Sequence, residues 1–241
     1  MPLLQVRRRV AAVDGDRMIE QSLNVLNLCS GHQTWVRVWR ERGHVVRCVE
    51  INPSLLADLH ADISTLDADD LLGLFSDRRI DVIIVSPPCE CFSVASIGAH
   101  WTGGRRAYIP KTEAARIAMR LVRHIVALIE EIQPRFWWLE NPRGVLRKLG
   151  IIPTEWNHAT VWYCQYGDAR AKPTDLWGNW PETFVPRPPC RNGASLVGDC
   201  HHAVARRGAR TGTQGIKGAA ARSLIPSELA LEVRVAVEAV L

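Results

Sequence analysis

The sequence predicts an α/β protein built on a doubly wound, mostly parallel sheet that carries a small loop-rich appendage. Short apolar runs alternate with longer segments of helical period, the pattern of strands joined by crossover helices. Of the 241 residues 47% are hydrophobic, enough for one sizeable core. From Pro181 the pattern degrades into Pro, Gly, Arg and Cys, and a helical period resumes at Pro226. The 23% of charged residues and the moderate Gly and Pro counts exclude a disordered, collagenous or coiled-coil chain.

In chain order, strands are expected over Ser22–Leu28, Val45–Ile51, Asp81–Ser86, Arg135–Glu140 and Ala159–Cys164. Helices are expected over Thr34–Arg42, Pro53–Leu59 and Thr112–Ile132. In the last of these Thr112 is placed to cap the first turn, and Ile117, Leu121, Ile125, Leu128 and Ile132 recur on one face, as in a helix packed on a sheet. The organisation that follows is a catalytic and cofactor-binding unit over 1–180, a basic loop-rich segment over 181–225, and a helix over 226–241 returning to the core. The most apolar long stretch, Ala114–Ile132, is broken by Arg116, Arg120, Arg123 and His124, and no apolar signal core follows Arg7–Arg9, so neither a membrane span nor an export signal is expected. Seven cysteines, odd in number and scattered through apolar segments, point to reduced thiols in a cytoplasm.

The net charge of +5 (30 Lys and Arg against 25 Asp and Glu) says less than its distribution. Between Phe184 and Ile225 lie Arg187, Arg191, Arg206, Arg207, Arg210, Lys217 and Arg222 against a single acid, Asp199. That points to a polyanion partner, with a merely solvated basic loop as the alternative.

In doubly wound sheets ligands bind beyond the carboxyl ends of the strands, so chemistry is sought just after each apolar run. The first run leads into Asn27-Leu28-Cys29-Ser30-Gly31-His32-Gln33-Thr34, a strand-to-helix turn. The second ends in Glu50, an acid placed either to hold a ribose diol or to enter a helix before Pro53. Asp62 stands where a third strand would end. The third apolar run delivers Ser86-Pro87-Pro88-Cys89-Glu90-Cys91-Phe92-Ser93, whose prolines fix the backbone and present Cys89 at the mouth of the sheet, a nucleophile's position. A metal pair formed with Cys91 and a plain buried thiol are the rival readings, and C-x-C departs from the usual zinc spacing. Phe136-Trp137-Trp138-Leu139-Glu140-Asn141-Pro142 ends the fourth run in an acid, suited either to donate a proton beside Cys89 or to cap a helix.

This order of motifs resembles the cytosine-5 DNA methyltransferases, in particular small phage-type members, over residues 22 to about 180. Pro87-Pro88-Cys89 with Phe92-Ser93 is similar to the family's nucleophile motif, and Glu140-Asn141-Pro142 to its Glu-Asn motif. The resemblance implies a Rossmann-like fold, S-adenosyl-L-methionine as cofactor, and DNA with a flipped target cytosine as substrate. It implies that Cys89 attacks C6 while Glu140 contacts N3 and the exocyclic amine. Leu28, Ser30 and Gly31 would cradle the methionine part of the cofactor, Glu50 would hold the ribose, Ile51 would pack on adenine, Asp62 would meet the adenine amine and Pro87 would border both pockets. The family's first motif, Asp-x-Phe-x-Gly-x-Gly-Gly, is altered here, with Asn27, Cys29, Gln33 and Thr34 as replacements, which leaves room for a modified cofactor. Its Gln-x-Arg-x-Arg motif aligns with the Tyr166–Thr174 stretch, where Lys172 keeps a basic character and Arg170 offers a substitute.

The DNA-facing candidates are Arg187, Arg191, Arg206, Arg207, Arg210 and Lys217, and a companion subunit would supply further recognition surface. Cys190, Cys200, His201 and His202 form a second cluster, read as a metal-free loop with zinc as the minor alternative, because C-x₉-C-H-H matches no common finger. The competing functions are the same chemistry on RNA or a free pyrimidine nucleotide, and a catalytically silent nucleic-acid binder. A zinc deaminase is excluded by the missing H-x-E and P-C-x-x-C signature.

Overall fold

A computed structural model describes residues 21–104, 107–190, 216 and 218–241. The elements run β1 (Asn24–Leu28), α1 (Arg37–Arg42), β2 (Val45–Glu50), β3 (Leu59–His60), α2 (Ala68–Leu72), β4 (Val82–Val85), α3 (Ile97–His100), β5 (Trp101–Thr102), β6 (Ile109–Pro110), α4 (Glu113–Ile132), β7 (Phe136–Pro142), β8 (Asn157–Trp162), β9 (Pro173–Asn179), α5 (Ala219–Ser223) and α6 (Ser227–Glu238). Seven strands form one sheet in the order β3-β2-β1-β4-β7-β9-β8, and β5 pairs with β6 in a separate hairpin. β3, β2, β1, β4 and β7 are parallel, whereas β9 runs antiparallel to both β7 and β8. The chain winds outward from β1 through β2 and β3, then from β4 in the opposite direction. The crevice between the carboxyl ends of β1 and β4 is therefore the topological switch point.

Both faces of the central strands are buried, which explains why they read as unbroken apolar runs. Val25, Val82, Ile84 and Trp138 face one layer with Trp39 of α1 and Leu229, Val233 and Val237 of α6. Leu26, Ile83, Val85 and Leu139 face the other layer with Val122, Ile125 and Ile129 of α4. Thr112 caps α4 as expected, its side chain accepting from the Ala115 N–H.

Several expectations need correction. Pro53–Leu59 is not helical. Asn52 folds the chain into a turn by accepting from the Ser54 N–H, and Asp58 then pairs in both directions with the Cys48 backbone, drawing Leu59 straight into β3. Ile117 is 53% exposed, because the buried stripe of α4 runs through Ala115, Val122, Val126 and Ile129. β9 went unrecognised in the sequence because Pro173, Asp175 and Gly178 break its apolar run. Gly178 is required there, since a Cβ would lie 1.9 Å from the Trp137 carbonyl oxygen. Of the seven cysteines expected to be reduced, Cys29, Cys48, Cys89 and Cys91 carry free thiols, whereas Cys190 is disulfide-bonded. Among the described residues no helix is long and apolar enough to cross a membrane.

Candidate active site

Beyond β4 the chain makes a short turn in which the Phe92 and Ser93 N–H groups both donate to the Cys89 carbonyl at 3.0 Å. Two bonds tie this turn to the end of β7: Asn141 Nδ2 donates to the Pro87 carbonyl at 3.0 Å, and the Val145 N–H donates to that of Phe92 at 2.8 Å. Gly144 permits the second, because a Cβ there would fall 2.1 Å from the Phe92 oxygen. Cys89 is thus held half-buried at the crevice, within electrostatic reach of Glu140 and Lys172. Burial, and after it the charge of Glu140, pushes its thiol up to about 11, against the opposing pull of Lys172.

Glu140 is buried. Its Oε1 accepts from the Tyr163 hydroxyl at 2.9 Å and lies 3.9 Å from Lys172 Nζ. The Lys172 ammonium sits 4.5 Å from the Tyr163 ring centroid. Burial pulls its pKa below the ordinary lysine value, while Glu140 and Cys89 act the other way. The thiol, carboxylate and ammonium come from three separate strand ends, β4, β7 and the start of β9.

Arg170 acts on this group through its charge, which reaches Tyr163, Glu140 and Lys172, while its hydrogen bonds lie elsewhere. Its Nε donates to Asp168, and its two terminal nitrogens donate to the carbonyls of Ala221, Arg222 and Leu224 at 2.9–3.0 Å. The guanidinium closes the open end of α5, whose carbonyls lack helical partners. Arg187 is corrected likewise. It pairs with Glu228 and Glu232 of α6 at 2.7 Å and lies 4.7 Å from the Tyr166 ring centroid, so its charge is committed within the fold. Arg191, Arg206, Arg207, Arg210 and Lys217 lie outside the described residues, as do Cys200, His201 and His202. Cys190 offers no free thiol to a metal, and among the described residues no group of three or more His, Cys, Asp or Glu could hold one.

The residues expected at the cofactor collect at the carboxyl ends of β1 to β4. Glu50 Oε2 accepts from the Gly31 N–H at 2.8 Å and Oε1 from the Asn52 N–H at 3.0 Å, which presents the carboxylate at the end of β2. Leu28 and Pro87 are buried, and Ile51 leaves 64% of its surface uncovered. Asp62 caps a short 3-10 turn through the Ser64 N–H. Burial raises the Cys29 thiol to about 12, with Glu50 and Asp62 adding to it, so both acids lie near one point. Ser30 Oγ is buried with no hydrogen-bond partner. In the altered first motif Cys29 and Gln33 adopt positive φ, +51° and +56°. Gln33 is held there by Arg40 and by its own bond to the Leu56 carbonyl. A cavity of about 350 Å³ opens beside this turn between Gln33, Arg37 and Leu56, and of the expected cofactor set only Gly31 lines it.

Tyr163 was not foreseen from the sequence. It follows an ordinary apolar run, and only the pairing of β8 with β9 brings it to Glu140.

The fold is a doubly wound sheet of the Rossmann-like class, with a thiol, a carboxylate and an ammonium gathered at its strand ends. The family model for the C-5 cytosine-specific DNA methylase matches residues 50–150. A protein of Frog virus 3 (isolate Goorha), named Probable DNA (cytosine-5)-methyltransferase, is 31% identical over 166 residues, covering 68% of this chain and 74% of the viral one. Type II methyltransferase M1.HphI of Haemophilus parahaemolyticus is 32% identical over 83 residues, 34% of this chain and 19% of that enzyme. The solved structure of the Entamoeba histolytica methyltransferase EhMeth shares the fold, with a TM-score of 0.50 at 10% identity, covering 70% of this chain. This chain spans 57% of EhMeth, so it matches about half of that longer protein. The chain belongs to the C-5 cytosine-specific DNA methylase family.

Proposed function

We propose that this protein is a DNA cytosine-5 methyltransferase, using S-adenosyl-L-methionine on a cytosine flipped out of the duplex. The observation that carries the proposal is the convergence of Cys89, Glu140 and Lys172 from three strand ends on one crevice. Neither C5 nor C6 is accessible within the base stack, so the base must enter this crevice for the thiol to reach it.

The residues present fit the cofactor. Glu50 presents a carboxylate suited to a diol, the apolar side chain of Ile51 stands uncovered beside it, and Ser30 Oγ is an orphaned polar atom in the same turn. When bound, S-adenosyl-L-methionine supplies an electrophilic methyl group. Leu28, Ser30, Gly31, Glu50, Ile51, Asp62 and Pro87 are the residues proposed to hold it.

In the reaction, Cys89 Sγ forms a bond to C6 as its proton passes to the Glu140 carboxylate, and the ring's electrons move toward N3, to which Glu140 hands that proton on. C5 becomes nucleophilic and would take the methyl group, releasing the demethylated donor. Loss of the C5 proton to water and return of the N3 proton to Glu140 then restore the ring and expel the thiolate, breaking the bond from sulfur to C6. The free thiol is raised to about 11, so the Lys172 ammonium is proposed to stabilise the thiolate as attack begins. The basic residues of 184–225 are proposed to face the DNA, with the exception of Arg187. A cytoplasm, bacterial or that of a phage-infected host, is the proposed setting.

The test is incubation with tritiated S-adenosyl-L-methionine and, separately, duplex DNA, tRNA and dCMP, followed by nucleoside analysis. Label in DNA as 5-methylcytosine is the expected result. Label confined to tRNA or dCMP would move the same chemistry to another acceptor, and no label in any would leave a nucleic-acid binder.

A further inference from the structure

A glutamate that exchanges a proton with a base must present one particular oxygen to it, yet its terminal torsion is soft and roughly two-fold. Something in the fold has to choose the oxygen. The turn that follows β8 places Tyr163 fully buried against Glu140. That turn is closed by the Tyr163 N–H donating to the Ala171 carbonyl at 3.1 Å and the Asp168 N–H donating to the Tyr163 carbonyl at 3.2 Å. The hydroxyl donates to Glu140 Oε1 at 2.9 Å. Two cations lie over the phenol ring, the Lys172 ammonium 4.5 Å and the Arg170 guanidinium 5.4 Å from its centroid. Burial, joined by the charge of Glu140, pushes the phenol well above its ordinary value, so it remains a donor throughout the working pH range.

The cation contact falls on the same atom: Lys172 Nζ approaches Oε1 at 3.9 Å. Among the described residues no hydrogen-bond donor reaches Oε2. Tyr163 therefore loads one oxygen with protein contacts and leaves the other for a ligand.

We propose that Tyr163 is a positioning residue for methyl transfer, whose hydroxyl keeps Glu140 Oε1 turned into the protein and presents Oε2 to N3 and the exocyclic amine of the target base. The inference rests on the cytosine reading of the site. It also assigns Arg170 a place at one remove: stacked near the ring and anchored to α5, it steadies the tyrosine rather than touching the base.

Tyr163→Phe keeps the ring, its packing and both cation contacts, and removes the hydroxyl with its bonds to Glu140 and Thr174. The expected result is a kcat about tenfold lower, with the KM for duplex DNA and the melting temperature essentially unchanged, because orientation and not binding is lost. Glu140→Gln alone should lose on the order of 10²-fold. Adding Tyr163→Phe to it should cost nothing further, since the hydroxyl acts through the carboxylate. In single-turnover trapping by DNA containing 5-fluorocytosine, Tyr163→Phe should slow the rate and leave the final yield intact. The yield counts competent sites, so partial misfolding would lower it without imitating a slower rate. A wild-type kcat in Tyr163→Phe, or losses that multiply in the double variant, would overturn the assignment. Wild-type protein that neither methylates cytosine nor is trapped would overturn the underlying reading, and this inference with it.

Discussion

Cys89 and Cys91 stand one residue apart, and the turn between them sorts their roles. Cys91 is buried, and its carbonyl accepts from the Trp101 indole at 2.6 Å, which makes it part of the wall. Cys89 is half-buried at the crevice beside an acid and a cation. Cys89→Ser should abolish both turnover and trapping by 5-fluorocytosine DNA, whereas Cys91→Ser should retain trapping. The raised thiol also predicts how the free enzyme behaves with pH. Alkylation of Cys89 by iodoacetamide should be slow at neutral pH and rise about tenfold per pH unit until it levels near 11, the value burial sets. Lys172→Met should lower the alkylation rate at pH values well below the plateau, because the lysine while charged favours the thiolate. A higher rate there would count against the charge arrangement described. Glu50 is a second residue with a single measurable consequence. Each hydrogen bond to a charged acceptor is worth about 1.5–3 kcal/mol, so calorimetry of Glu50→Ala with S-adenosylhomocysteine should show at least a tenfold weaker association. Unchanged affinity would place the cofactor elsewhere, for instance toward the cavity beside Gln33.

At the scale of elements, the site depends on loops clamped to one another rather than on strand ends alone. The closest clamp is Gly144 against Phe92. Gly144→Ala puts a Cβ 2.1 Å from a backbone oxygen, so the nucleophile turn must separate from β7. Overpacking of this kind costs about 1–3 kcal/mol, and trapping should slow even where the protein still folds. A trapping rate equal to that of the wild type would show that the clamp is dispensable. The other junction docks α6. His44 Nδ1 accepts from the Leu23 N–H, so its Nε2 carries the proton and donates to Glu238 Oε1 at 3.0 Å, and Arg234 adds two contacts at 2.9 Å. Partial burial would raise the Glu238 carboxyl, but the His44 hydrogen bond and the charge of Arg234 outweigh it and hold the group below its ordinary value. A depressed carboxyl contributes stability that is present above its unfolded value, near 4.5, and is lost as pH falls through the folded value. Acid melting of Glu238→Gln should therefore show a shallower fall below pH 4.5 than the wild type, with about 1 kcal/mol less stability at neutral pH.

At the scale of the whole molecule, the proposed contact with DNA depends on how the fold disposes its basic side chains. Arg187 is tied to α6, whereas Arg143, just past the end of β7, is exposed, with its guanidinium 5.2 Å from the Trp162 ring centroid. Replacing Arg206, Arg207 and Arg210 together should weaken duplex binding and flatten its salt dependence, since each lost phosphate contact lowers the log–log slope by roughly 0.9. The affinity for S-adenosylhomocysteine should stay as it was. An unaltered slope would take the segment out of the DNA interface.

Much of this protein was legible in the one-dimensional pattern. Apolar runs buried on both faces announced β1, β2, β4 and β7, and polar residues placed just past each run marked Glu50, Cys89 and Glu140, because a parallel sheet buries its strands and exposes only their ends. Local chemistry also sufficed for the Thr112 cap, which involves residues three apart. What the sequence withheld depends on contacts between distant segments. β9 forms because two flanking strands supply the partners that its own polar residues do not advertise. Arg170 and Arg187 are basic in the sequence, and only the return of α5 and α6 turns them into internal braces. Tyr163 lies 23 positions from Glu140, and no periodicity predicts their meeting. By itself the sequence determined β1, β2, β4 and β7, the turn that bears the thiol and the acids at the strand ends, since these follow from local sterics and burial. Tertiary structure alone decided which charges are free, which are braces, and which oxygen of Glu140 is left open, since pairing depends on what the folded chain brings within a few ångströms.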